Sequence, residues 1–384
     1  MRARRIFAVT QKEIREILRD RIYLLLAFIM PVMLMIVFGY GMSQDIENVA
    51  LAVVDEDGTA TSRDYSQRFI ESRYFAYEGH LRSTRDADRV LANGRIKVVL
   101  VIPHHFAERL SDGKTADVQM LVDGSFTTIA RTVHSYLDAM NTAYNAGLES
   151  RYLSARLGIA QSRAVALIQP VKIEVRYLYN QEARSIWSTA PSLMMFTLML
   201  VVPLLTSLSV VREKESGAIY NVYASTISRG ELIAGKLLPS VAIAALNACV
   251  LWLIATHYFG APFKGSLALL ALGTLLFIVC AAGFGLVISF LVRTQQAAII
   301  VTTILATLLA MQYSGIMTPI SSMTGGTRAI AYAFPPMYYE NIIKGTFMKG
   351  VGTAVLWPDL LFLLGFAAAV LVAAYALFHK RVRS

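Results

Sequence analysis

The sequence predicts an α-helical membrane protein: six transmembrane helices, with an α/β extracytoplasmic domain inserted between helices 1 and 2. Three observations carry this. The chain holds six long apolar runs, one large polar segment separates the first run from the second, and the basic residues gather where cytoplasmic ends and loops would fall. A helix needs about 20 mostly apolar residues to cross the hydrocarbon. The runs are Ile22–Gly41, Ile186–Val211, Leu237–Tyr258, Leu267–Leu291, Ala297–Met317 and Trp357–Phe378. The first five contain no Asp, Glu, Lys or Arg, and the sixth contains only Asp359 near its start. Backbone polar groups in lipid need partners within their own segment, so the runs are expected as helices.

The 384 residues are 55% apolar, with a mean hydropathy of +0.52, which excludes an ordinary soluble domain. A net charge of +10 raises the question of nucleic acid. Its distribution answers differently. The amino-terminal arm, the loops after the second and fourth runs and the carboxyl-terminal tail together hold 15 basic and six acidic residues. Residues 43–185 are nearly neutral, with 17 basic and 18 acidic. That is the positive-inside pattern, with both termini cytoplasmic, and it accounts for the charge with no nucleic acid as partner.

The expected organisation follows in order. Residues 1–21 form a cytoplasmic amphipathic helix on the inner leaflet, because Ile6, Phe7, Ile14, Ile17 and Leu18 are set among charges. Residues 22–42 are transmembrane helix 1. It reads as an uncleaved anchor, since its apolar run exceeds a signal peptide's and the residues after it offer no cleavage pattern. Residues 43–185 are the extracytoplasmic domain. Within it, Val49–Val54, Val98–Ile102, Val118–Val122 and Val171–Tyr177 read as strands, and Thr61–Tyr74, Asp86–Leu91 and the stripe from Ile129 to Leu157 read as helices. Strands alternating with helices argue a small sheet with helices packed on it. Cys249 and Cys280 both lie in apolar runs, so no disulfide staples this domain. Residues 186–384 carry helices 2–6, a cytoplasmic loop at 212–236, and extracytoplasmic half-helices at 318–356.

Gly230–Lys236 matches a phosphate-loop pattern, G-x-x-x-x-G-K, but Leu237 stands where Ser or Thr would hold magnesium, and polar residues precede it where a buried strand belongs. His104 and His105 are adjacent and lack ligand spacing to another His or Cys. No catalytic, cofactor or metal residues are assigned. The loop after helix 2 is more informative. Arg212, Glu213, Lys214 and Glu215 leave the membrane together, Gly217 breaks the helix, and Ile219, Val222 and Tyr223 fall on one face of a short helix. Such a helix can insert into a groove of a soluble partner.

The stretch from Val211 to Pro239, VREKESGAIYNVYASTISRGELIAGKLLP, resembles the signature of type-2 ABC exporter (ABC-2-type) permeases: a charged R-E-x-E-x-G stretch, a short helix, then E-L-x-x-G-K-x-x-P. The segment Phe334–Tyr339, FPPMYY, is similar to that family's short pieces between its last two spans. The layout resembles the drug-export subgroup. Ala218 stands where the family often has Thr, and Thr226 where it often has Pro.

The resemblance implies a permease subunit with no ATPase of its own, with ATP and Mg²⁺ bound by separate ATP-binding subunits. Its partners would be those subunits, a second permease chain (homo- or heterodimer), the lipid bilayer and, as a further candidate, a periplasmic membrane-fusion adaptor. Its location would be a bacterial inner membrane. The coupling contact would fall on Arg212, Glu213, Lys214, Glu215, Gly217, Ile219, Tyr220, Asn221, Val222, Tyr223, Arg229, Glu231, Gly235 and Lys236. A soft wall for amphipathic or hydrophobic cargo, drugs among them, would come from Met194, Met195, Phe196, Met199, Gln312 and Tyr313, and the alternative for the same Met and aromatic side chains is plain helix packing. A lipid or polysaccharide export permease is the alternative. A secondary transporter is disfavoured by the scarcity of charge in the apolar runs.

Overall fold

A computed structural model of the protein describes residues 2–42, 48–125, 127–168, 178–182, 184–219 and 227–378. The chain divides into two compact units, Met1–Gln44 with Tyr177–Ser384, and Asp45–Arg176.

In the first unit, six helices among the described residues are long and apolar enough to cross a membrane. Ahead of them lies α1 (Arg2–Arg19). Span one, Arg21–Gly41, is built from α2 (Arg21–Leu24), a π turn at Leu25–Ile29 and α3 (Met30–Gly41). The π turn coincides with a side-chain rescue: the buried Asn247 amide donates to the Ala27 carbonyl at 2.6 Å. The remaining spans are α9 (Ser185–Glu215), α10 (Arg229–Leu253, prolonged by a π turn to Tyr258), α11 (Leu267–Leu291), α12 (Gln295–Gln312) and α15 (Thr353–Leu377).

The fifth helix stops at Gln312, short of the expected Met317. Gly315 takes φ +91°, and the Ser314 hydroxyl donates back to the Ala310 carbonyl at 2.5 Å, closing the helix. Between α12 and α15 lie α13 (Gly325–Ala333) and α14 (Pro335–Lys344). Pro335 and Pro336 open α14, where their fixed φ suits the first turn, and the preceding Phe334 is extended.

The centre of this unit is α9. It packs on α3, α10, α11, α12 and α14, and its apolar length is almost wholly buried. Lipid tails supply little hydrophobic drive between helices, so close approach through small residues holds such a bundle. On α11, a Cβ added at Gly285 would lie 2.2 Å from the Pro203 carbonyl oxygen of α9, one at Gly283 2.5 Å from Val370 of α15, and one at Gly273 2.9 Å from Ile342 of α14.

The second unit holds a four-stranded sheet in the order β2-β1-β3-β4, with β1 Val49–Asp55, β2 Phe75–His80, β3 Val98–Ile102 and β4 Gln119–Val122. β1 pairs in parallel with β2 and β3, and β4 is antiparallel to β3. Helices α4 (Ala60–Ile70), α5 (Thr84–Ala92), α6 (Phe106–Ser111), α7 (Thr127–Leu157) and α8 (Gln161–Ile168) complete it. Leu51, Val53, Val98, Leu100 and Ile102 face Tyr65, Phe69, Phe106, Val133 and Tyr144 on one side. Ala52, Val54, Val99 and Val101 face Ala87 and Ile96 on the other. Burial on both faces explains why β1 and β3 read as unbroken apolar runs. β2 lies at the sheet edge and carries a mixed, partly polar sequence without such a run.

The acidic turn after β1 is structural. Asp55 accepts from the Asp57 and Gly58 amides at 3.1 and 3.0 Å. Asp57 accepts from the Phe106 and Ala107 amides at 3.0 and 3.2 Å, capping α6. The expected strand Val171–Tyr177 lies outside the described residues.

Gly285→Val forces α9 and α11 apart and costs about 3 kcal/mol or more by overpacking. Thermal unfolding of the purified protein in detergent measures this. Gly365→Ala on α15, where an added Cβ meets nothing within 4 Å, serves as the control and is expected to leave the midpoint in place. Equal midpoints for both variants would sink the close-contact reading.

Candidate functional site

Four consecutive charged residues close α9, and each reaches a different neighbour. Successive helical side chains point about 100° apart, so a run at a helix end fans outward. Arg212 pairs with Asp20, between α1 and α2, and lies 3.8 Å from Glu16. Asp20 in turn accepts from the Ile22 and Tyr23 amides at 3.0 Å each, capping α2. Glu213 meets Lys236 of α10 at 2.9 Å and pairs with Lys12 of α1. Lys214 donates to the Ser289 carbonyl at 2.5 Å and sits 5.4 Å from the Phe290 ring, neutralising the carboxyl-terminal end of α11. Glu215 accepts from the Gln295 amide at 3.1 Å and its side chain at 2.9 Å, capping α12.

The core of this junction is a buried triad. The Lys236 ammonium lies 2.8 Å from Glu13 and 2.9 Å from Glu213, and all three residues are at most 4% exposed. Lys12, at the rim, reaches Glu213 and lies 3.1 Å from Glu16. Burial pushes the Glu13 carboxyl above its usual range, and the Lys236 charge only partly opposes this. Desolvation pulls the Lys12 ammonium down, but the hydrogen bond and charge of Glu213, with Glu13 and Glu16 adding, hold it above its ordinary value. Glu13, Glu16 and Glu213 bring carboxylate oxygens within 4.8 Å of one another. Three cations, Lys236, Lys12 and Arg212, already lie against that cluster.

Local sequence explains how α10 reaches this place. Ser228 caps the helix: its hydroxyl accepts from the Glu231 amide at 3.3 Å, while the Glu231 carboxylate accepts from the Ser228 amide at 2.8 Å. Glu231 also lies 3.9 Å from Arg5 of α1. Gly235 leaves room for α1: an added Cβ would sit 2.6 Å from the Val9 side chain, and Thr10 donates to the Gly235 carbonyl at 3.3 Å. Gly230, Gly235 and Lys236 therefore lie inside a helix. Of the backbone amides that a phosphate loop would aim at a ligand, that of Glu231 is taken by Ser228 and those from Leu232 onward are engaged along the helix axis, and the lysine is held by two glutamates.

Of the expected coupling residues, Glu213, Glu231, Gly235, Lys236 and Ile219 are buried and brace the junction from within. Glu215 is exposed, Arg212, Lys214, Gly217 and Arg229 are half-buried, and Gly217 ends the helix at φ +74°. Tyr220, Asn221, Val222 and Tyr223 lie outside the described residues. Glu13 and Asp20 were missed as site residues. Their signal was two acids in a basic arm, followed far along the chain by Arg212 and Lys236.

The expected cargo-wall residues divide. Met194, Met195, Phe196 and Met199 are buried in the bundle core along α9. Met194 also lines a crevice of about 310 Å³ with Cys249, Trp252, Leu270 and Thr274. Tyr313 is half-buried against that core and Gln312 is exposed.

A second polar cluster, unforeseen from sequence, ties α14 to the spans. The Ser192 hydroxyl of α9 donates to buried Glu340, which lies 3.0 Å from Lys344. Tyr339 exchanges a hydrogen bond with Thr274 of α11 at 2.8 Å and stacks on Phe277. Asn341 donates to Asp359 of α15 at 3.0 Å, and Lys344 donates to the Gly315 carbonyl at 3.2 Å.

A family model described as ABC-2 family transporter protein matches residues 21–376. The probable multidrug ABC transporter permease YbhS of Escherichia coli K12 is 28% identical over 366 residues, which is 95% of this chain and 94% of that protein. YbhR of the same strain, also named a probable multidrug ABC transporter permease, is 27% identical over 98% of this chain and 99% of its own length. The inner membrane transport permease YhhJ of that strain is 22% identical over 99% and 98%.

Lys236→Leu leaves Glu13 and Glu213 facing each other without their shared cation, and should cost about 3–5 kcal/mol. The variant that also carries Glu13→Gln and Glu213→Gln leaves no bare buried charge and is expected to recover most of that loss. Detergent-phase thermal unfolding compares the two. A triple variant no more stable than the single one would show that the triad is not the source.

Proposed function

The chain belongs to the ABC-2 transporter family, and on that premise we propose that it is the membrane half of a drug-type exporter, driven by separate ATP-binding subunits that hold the ATP and Mg²⁺. Its cargo is amphipathic or hydrophobic and leaves from the cytoplasm or the inner leaflet. Two permease chains pair to form the path. Both termini face the cytoplasm, and residues 43–185 lie beyond the membrane, where they offer a surface to a periplasmic adaptor. The positive-inside charge pattern supports this orientation.

The observation that carries the reading is the four-way junction at the end of α9. A docked ATPase that pushed on the segment after Glu215 would move a helix end already tied to α1, α10, α11 and α12. Displacement there reaches the whole bundle without any charge having to enter the membrane. The buried coupling residues transmit the load. Contact with the ATPase falls to exposed Glu215, half-buried Arg229 and the segment between them.

The test is co-purification with candidate ATP-binding subunits, with ATP hydrolysis measured against a panel of amphiphiles. Arg229→Glu combined with Glu215→Ala is expected to lower subunit retention about tenfold while the permease still inserts and elutes as a folded species. Undiminished retention and transport in that variant would remove the docking role. Uptake into vesicles by the isolated chain, driven by an ion gradient without nucleotide, would instead make it a secondary transporter.

A further inference from the structure

Helix α1 carries three separate faces, and among the described residues one of them is buried. Val9, Glu13 and Ile17 are buried against the rest of the first unit. Phe7, Ile14 and Leu18 recur at steps of seven and four, share a second stripe, and are 68%, 42% and 63% exposed. Arg4, Arg15 and Arg19 recur at steps of eleven and four and form a third, also exposed. None of these three arginines is paired among the described residues. The acids nearby are consumed elsewhere: Glu13 by Lys236, Glu16 by Lys12 and Arg212, and Asp20 by Arg212.

We infer that this free surface of α1 binds anionic phospholipid, with acyl chains against Phe7, Ile14 and Leu18 and acidic headgroups on Arg4, Arg15 and Arg19. Two features select a lipid over a soluble partner. The chain that follows α1 exposes Ile22, Leu25 and Ile29 at the start of span one, so the apolar stripe adjoins in sequence a helix of lipid-crossing length and composition. The uncompensated guanidiniums then flank the apolar stripe, where phosphates of the adjoining leaflet would lie. A planar fork of donors suits a phosphodiester better than a point charge would. The opposite face of the same helix holds Glu13 on Lys236, so the lipid contact sits directly behind the junction described above. This inference does not depend on the cargo or on the ATPase.

The experiment titrates the full-length protein in neutral detergent with short-chain phosphatidylglycerol or phosphatidylcholine and follows thermal unfolding and bound lipid by native mass spectrometry. A basic residue near an anionic surface contributes roughly a fivefold gain in binding, so phosphatidylglycerol should bind at least ~10-fold more tightly than phosphatidylcholine. Arg4→Gln, Arg15→Gln and Arg19→Gln together should abolish that preference and leave the lipid-free midpoint unchanged, because none of the three is paired within the described chain. Equal binding of both lipids, or a preference that survives in the variant, would overturn the inference. So would an equal shift from water-soluble glycerophosphate, which would mark a free-phosphate site. Should the variant not fold, raising salt from about 50 to about 500 mM on the unaltered protein must erode the preference, and a salt-independent preference counts against it.

Discussion

The arrangement of the membrane unit depends on one buried contact, the Lys236 ammonium held between Glu13 and Glu213. Removing three charges from water is expensive, and mutual attraction offsets that only when partners are close and complete. Lys12 at the rim supplies the second positive charge that the two carboxylates require. A triad of this kind adds little net stability compared with apolar packing. It is strict about geometry, because a helix end displaced by a few ångströms strands a bare charge. It thereby sets where α1, α9 and α10 meet.

The rest of the junction follows from that placement. With Glu213 committed to α10, the helical fan carries Arg212 to Asp20, Lys214 to the end of α11 and Glu215 to the start of α12. Helix ends leave unpaired carbonyls and amides, and these charges occupy two such ends with the appropriate sign. The α14 cluster uses another device: Ser192, Thr274 and Asp359, on α9, α11 and α15, bond to successive side chains of one short helix. Between the two clusters the polar side chains of α9 are hydroxyls alone, and Gly285 on α11 lets it be approached closely. The central helix is thus gripped by polar contacts at separate points along its length and by close van der Waals packing between them.

The second unit is stabilised by different means. Its cores lie on both faces of a mixed sheet, with large residues on one side and alanine and valine on the other. Asp55 and Asp57 spend their carboxylates on backbone amides of the turn and of α6. An acidic run that could pass for a cation site is thus explained by backbone groups that would otherwise lack partners. The Lys97 side chain adds a 2.6 Å pair to Asp123, which with Ser125 holds that carboxyl down to about 2.

Much of this protein was legible in its sequence, because the relevant physics is local. Lipid solvates neither charge nor backbone, so each span declares itself as an uninterrupted apolar run, and five of the six run ends fall within a few residues of a helix end or inside a longer helix. The fifth span was overestimated because a glycine turn at Gly315 can be as apolar as the helix it ends. Strands buried on both faces were equally plain, whereas β2, at the edge and mixed in sequence, was not. The R-E-K-E run and G-K pair singled out this charged junction from sequence alone. What those charges do was decided only by tertiary structure, since Glu13 and Lys236 are more than two hundred residues apart and composition cannot say which acid meets which base. For the same reason the sequence could mark Glu213 as a charged loop residue but not as a buried one. Pairing across the fold, not identity along the chain, determines whether a charge faces a partner protein, a lipid headgroup or its own core.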